Sequence, residues 1–190
     1  MTDIADILRR LENLIRLGTI AEVDPVAKRC RVNTGGLLTD WRPWIADRAG
    51  EDSDWDAPSV GEQCLLFSPS GEPALGVALV GLYSDQFDAP DDNPNRHRRT
   101  YRDGAVIEYD TEAHALRATL PAGATAELTA TGGVTITGNV SIIGSLTASD
   151  GATITGTLNA TVDVTADGIS LVDHVHGGVQ SGGGTTGGPQ

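Results

Sequence analysis

Residues 116–168 read LRATLPAGATAELTATGGVTITGNVSIIGSLTASDGATITGTLNATVDVTADG. Along this stretch every even-numbered position except Asp150 is apolar or Gly. The odd positions are mostly Thr, Ser, Asn, Asp and Gly, and Ile143 is the one aliphatic residue among them. A period of two places successive side chains on opposite faces of extended backbone. One face is therefore dry and the other wet, in unbroken register. As a single strand the stretch would span on the order of 170 Å, whereas ordinary strands stop near ten residues. The chain must turn while keeping its inside and outside, and Gly132, Gly138, Gly144, Gly156 and Gly168 offer corners without a Cβ. A β-helix or β-prism does this. An internal repeat agrees: Thr135-Ile136-Thr137-Gly138-Asn139-Val140 recurs as Thr153-Ile154-Thr155-Gly156-Thr157-Leu158, 18 residues on.

No Phe, Tyr, Trp or Met follows Tyr109, so the interior is narrow. One chain of about three turns would have little core and two open ends. Three chains wound about one axis would bury the same face and leave no free edge, so an intertwined homotrimer is expected. A short single-chain β-solenoid is the alternative.

Working outward, the 190 residues suffice for one or two small domains. The net charge of −13 excludes a basic footprint for nucleic acid and electrostatic docking on anionic lipid. All 13 Lys and Arg lie between Arg9 and Arg117. Cys30 and Cys64 sit in apolar strand-like runs and read as buried packing. The N-terminus lacks an apolar signal-peptide core, and no run reaches the ~18 apolar residues of a membrane span. The chain reads as a cytoplasmic product without a signal peptide, carried elsewhere by another machine.

Ile4, Ile7, Leu8, Leu11, Leu14 and Ile15 form one helical stripe, with Gly18 as the stop; residues 1–17 are assigned as an N-terminal helix. That stripe either packs on its own domain or meets two other helices at the end of a trimer. Residues 18–83 read as an OB-fold barrel with strands Gly18–Val23, Ala27–Val32, Trp41–Ile45, Cys64–Phe67 and Gly76–Leu82. Trp41, Trp44 and Trp55 read as core and edge packing. Residues 84–103 read as a linker whose Arg96-His97-Arg98-Arg99 run is solvated or paired with acidic barrel loops. A hairpin over Ala105–Leu120 leads into the β-helix of 104–168, and 169–190 form an apex domain. The fold class is thus mainly β: N-terminal helix, OB-fold barrel, intertwined trimeric β-helix shaft and metal-capped apex.

The chemistry lies near the C-terminus. His174 and His176, two apart, point to one side of extended backbone. In one chain such a pair is a weak metal signal. In a trimer, six imidazoles converge on the axis and fill an octahedron, which suits Fe(II), Ni(II) or Co(II) better than tetrahedral Zn(II). A saturated shell makes the metal structural, and Asp173 is placed to orient a ligand. Asp150 is the sole charge on the inward parity. A turn at Ser149-Asp150-Gly151 that swings it outward is the simpler reading, and a Ca²⁺ site is the alternative. No paired-carboxylate, nucleophile or phosphate-loop motif is present, so the chain reads as a non-enzyme.

The order of parts, the Tyr101-Arg102-Asp103-Gly104-Ala105 entry, the Thr/Gly alternation and the terminal Asp173-His174-Val175-His176-Gly177-Gly178 resemble the baseplate assembly protein V family. These are the central spikes of contractile phage tails and R-type pyocins. The resemblance implies an OB-fold domain on the baseplate or tube hub, a trimeric β-helix shaft, and an iron ion (Fe²⁺) held on the axis by His174 and His176 of all three chains. It implies a device at the tip of a virion or bacteriocin that pierces the target outer membrane ahead of the tube. A competing class is a Thr-rich β-solenoid binding ice or carbohydrate, since Thr135-x-Thr137 and Thr153-x-Thr155 form a partial ladder; it leaves the barrel, helix and His pair without a purpose.

Overall fold

The computed structural model describes residues 3–175, 178 and 182. It contains two compact units, Met1–Leu128 and Thr129–Gln190. Among the described residues no helix is long and apolar enough to cross a membrane.

The first unit opens with α1, Ile4–Asn13. Asp3 caps it, its Oδ1 accepting the Ala5 N–H at 3.2 Å, with Asp6 in the first turn and Arg10 in the last, as the helix dipole favours. Gly18 is not the stop that the sequence suggested. The Leu14 carbonyl is taken by the Ser68 N–H at 2.8 Å, and Ile15 already pairs with Phe67, so strand β1, Ile15–Asp24, begins at once. Gly18 lies inside β1, where a Cβ would stand 2.7 Å from Val32 Cγ1 and 2.8 Å from the Asn33 carbonyl; its smallness lets two strand surfaces approach.

Strands β2 (Arg29–Thr34), β3 (Leu37–Leu38), β4 (Gln63–Phe67) and β5 (Val77–Leu82) complete a five-stranded antiparallel sheet in the order β3-β2-β1-β4-β5. The first half of β1 pairs with β4 and the second half with β2, and an irregularity between Ile20 and Glu22 bends the strand between them. Alternate residues point inward. Ile20, Cys30, Val32, Cys64, Leu66 and Ala78 form the core, with Val23, Trp44 and Val80 packed on it. Both cysteines are free thiols, and burial pushes each up to about 11, as their packing role requires. Trp44 reaches this core, whereas Trp41 and Trp55 remain exposed.

The expected strand over Trp41–Ile45 is replaced by isolated bridges: Arg42 exchanges hydrogen bonds with Cys30 at 2.7 and 2.9 Å, and Trp44 is bridged to Ala78. Pro43 has no N–H to continue a ladder, so the segment ties the two edges of the sheet at points without becoming a strand.

Part of the region read as linker also folds. Residues Arg96–Thr100 form β6 and join β7 (Val106–Asp110) and β8 (Ala115–Thr119) in a three-stranded sheet, β6-β7-β8. Its polarity is inverted. The face carrying Glu108 and Asp110 is buried, and the face carrying Ile107, Tyr109 and Leu116 is exposed. The buried carboxylates are matched. Arg98 Nε donates to Glu108 at 2.7 Å, Arg96 lies 3.4 Å from Asp110, and Asp91 reaches Arg98 at 3.1 Å and Arg96 at 3.3 Å. Charged runs had hidden this strand, because its inward residues are ions satisfied by ions. Arg99 meets Asp56 of the acidic loop at 2.6 Å, the pairing envisaged for the basic run.

In the second unit, the stretch before Thr165 forms no strand among the described residues. It advances through bends at 138, 143–144, 149–150, 155–156 and 161–162, a step of six residues. Three such steps equal the 18-residue sequence repeat.

Candidate metal centre and assembly face

The metal candidate comes just after a short hairpin, β9 (Thr165–Ala166) and β10 (Ile169–Ser170), with Ala166 opposite Ile169 and Thr165 opposite Ser170. Asp167 and Gly168 both have positive φ, 49° and 78°, the conformation of a two-residue turn that matches strand twist. The parity slip after Gly168 is this turn. Asp163 ties the hairpin to the residues beyond it: its Oδ1 accepts N–H groups of Val164, Leu171 and Val172 at 2.8, 3.2 and 3.3 Å. The Ser170 hydroxyl, then these backbone donors, hold the Asp163 carboxyl below its ordinary value. The Ser170 Oγ in turn accepts from Val172 and Asp173 at 3.1 and 2.9 Å. Sequence reasoning passed over both residues because they look like ordinary wet-face positions. The Asp-Gly pair closing the alternation was the available signal for the hairpin.

This scaffold orients His174. Its Nδ1 lies 3.0 Å from the Ser170 carbonyl and 3.2 Å from that of Leu171. A carbonyl only accepts, so Nδ1 carries a proton, and in the neutral ring this puts the lone pair on Nε2, the state a metal ligand needs. Among the described residues these carbonyls are partners of His174. The donor chemistry thus fits a metal. His176 lies outside the described residues. Among the described residues, one chain gathers no group of three potential ligands. Asp150 is exposed and sits in the 149–150 bend, before Gly151 at φ +106°.

The second feature is the dry face. In the chain as it stands it is open: Ile136 is 70% exposed, Leu146 77% and Leu158 62%. Leu116 and Ala118 begin the same parity within the three-stranded sheet, and Leu120 follows just after it. There Leu116 stands opposite Tyr109 and Ala118 opposite Ile107. The uncovered face of that sheet and the uncovered face of the alternating stretch are therefore one series along the sequence.

Comparison with known proteins decides what this series belongs to. Residues 16–83 match a family described as the type VI secretion system/phage-baseplate injector OB domain. Residues 168–190 match the GpV apex motif, in a segment that extends past the described residues. Over its whole length the chain is 37% identical to the spike protein of Escherichia phage P2, covering 98% of that relative. The chain belongs to the baseplate V family of phage tail spikes. In this spike-family chain the OB match spans β1 to β5, and the apex match begins at Gly168, in the turn that leads to His174.

Proposed function

We propose that the chain is the central spike at the tip of a contractile tail, a structural part that leads the tube through the outer membrane of the target cell. The carrying observation is the one continuous apolar series, from Ile107 and Tyr109 to Val162, that a single chain leaves uncovered. Such a surface far exceeds the few hundred Å² that soluble monomers tolerate. Three copies of the same chain supply its cover. A chain that bends every six residues lays down three short faces per 18 residues, and three such chains wound together make a prism whose inner faces are dry. Each extended segment then hydrogen-bonds to a neighbouring chain, so axial load is shared over many bonds and no edge is free.

Gly132, Gly138, Gly144, Gly156 and Gly168 fall on a six-residue grid. Asp150 and Val162 occupy the remaining slots, and Asp150 is read as a solvated corner rather than a Ca²⁺ ligand. At the apex, His174 and His176 from three chains would hold one iron ion. The metal supplies structural closure there, and His174 contributes a ring fixed by backbone carbonyls. The OB-fold unit docks on baseplate and tube-hub proteins, and no nucleic acid is bound. The role is structural rather than catalytic. The single-chain ice- or carbohydrate-binding solenoid is disfavoured, because its turns would stack on one another within one chain.

The test is localisation and function together. Particles carrying an epitope-tagged chain should show label at the tail tip by electron microscopy. Particles produced with only the Ile136→Asp chain should lack label at the tip and fail to penetrate cells. Label along the sheath, or full infectivity with the shaft disrupted, would overturn the proposal.

A further inference from the structure

Helix α1 turns its apolar stripe away from the domain that carries it. Ile4 is 73% exposed, Ile7 50%, Leu8 53% and Leu11 62%. On the opposite side Asp6 and Asn13 are half-buried. A Cβ on Gly71 would lie 2.2 Å from the Arg10 carbonyl oxygen, so this helix backbone rests directly on the loop at Pro69–Gly71. Asp6 is occupied by Arg9 and Arg10 at 2.8 Å each, and Arg16 donates to Asn13 at 2.8 Å. The helix thus rests on the domain through its backbone at Arg10, with its basic charges paired within the element. A surface helix ordinarily does the reverse.

We infer that this stripe is a second self-association site, in which the α1 helices of three chains pack against one another. The inference rests on the trimer proposed above. Two observations select a copy of this chain as the occupant. The first is spacing: Ile4, Ile7, Leu11 and Leu14 step by three, four and three residues, the a/d pattern of helices that interlock with their like, with Leu8 widening the seam. The second is size. Four aliphatic side chains present only a few hundred Å², well short of the ~800 Å² per partner that a free-standing complex needs. A separate protein could not be held by so small a patch. Chains already joined through the shaft meet at effective concentrations near millimolar, where a small patch suffices.

The experiment uses the full-length chain bearing Leu11→Cys, with the chain bearing Val26→Cys, a residue 92% exposed at the β1–β2 turn, as control. Each is first weighed under reducing conditions by light scattering and then oxidised with a mild disulfide catalyst at micromolar concentration. The inference expects a trimer in both cases. Leu11→Cys should give rapid, concentration-independent cross-linking of about two chains in three, since one thiol of each triad is left over. Val26→Cys should give little. A trimer in which Leu11→Cys cross-links no faster than Val26→Cys overturns the helix contact and leaves the spike reading standing. A monomer under reducing conditions overturns both.

Discussion

The OB domain and the alternating stretch after it use the same alternation and end in opposite states. In β4, Cys64 and Leu66 point inward and are fully buried, because β1 and β5 pair on either side and fold the chain back on itself. In the stretch from 129 onward, Ile136 and Ile142 occupy equivalent inward positions and remain exposed. Alternation tells which side chains share a face. It does not tell whose backbone will cover that face. The barrel has the turns to answer from within, such as Asp24 with its side chain accepting the Val26 and Ala27 N–H groups. The alternating stretch has only short bends every six residues, which keep the chain advancing.

The contrast can be broken from either side. The largest effect belongs to the shaft. Ile136→Asp places three carboxylates on one dry axis, each with a desolvation penalty of several kcal/mol. The trimer should be lost, as measured by sedimentation, while the OB unit keeps its fold by circular dichroism. Leu66→Ala in the barrel should act conversely. It should cost about 2–5 kcal/mol locally, lowering the first melting transition, with the mass of the assembly unchanged.

Smaller effects sharpen the picture of the apex. His174→Ala should abolish metal binding, measured by elemental analysis, and loosen only the residues after Gly168. The shaft transition should not move, because its burial does not depend on the ion. Asp163 is held below the ordinary carboxylate range, so its contribution is present above the unfolded value near ~3.9 and drains as pH falls through the lower folded value. Asp163→Asn should therefore reduce the protection of the Leu171 and Val172 amides at neutral pH, and acid should remove that protection from the unaltered chain, relative to intrinsic exchange at the same pH, only below about pH 4. The smallest effect is expected from Thr135→Asp on the wet face, a surface change within about 0.5 kcal/mol per chain apart from mutual repulsion that salt screens.

These outcomes bear on how much of the molecule was legible from its residues alone. The barrel could be read because its buried residues are apolar and its turns carry Pro, Gly and Asp. The alternating stretch could be read because no ordinary strand sustains one parity so long. Strand β6 could not, since Arg96 and Arg98 look like solvent residues until Asp91, Glu108 and Asp110 are seen opposite them. The strand expected at Trp41–Ile45 failed on Pro43, whose missing donor outweighed the aromatic residues around it. At the apex the His174–His176 spacing was visible, but the carboxylate of Asp163 and the hydroxyl of Ser170 that set the approach to His174 were not. Their role arises from a turn that reverses the chain.

The central claim is that the dry face is covered by two further copies of the same chain. Native mass spectrometry of the full-length protein tests it most directly, since one spectrum reports chain number and bound metal. The account predicts a species of three times the 19.7 kDa chain mass plus one iron ion, with the metal lost and the trimer kept in His174→Ala. A single chain of 19.7 kDa at micromolar concentration would contradict it.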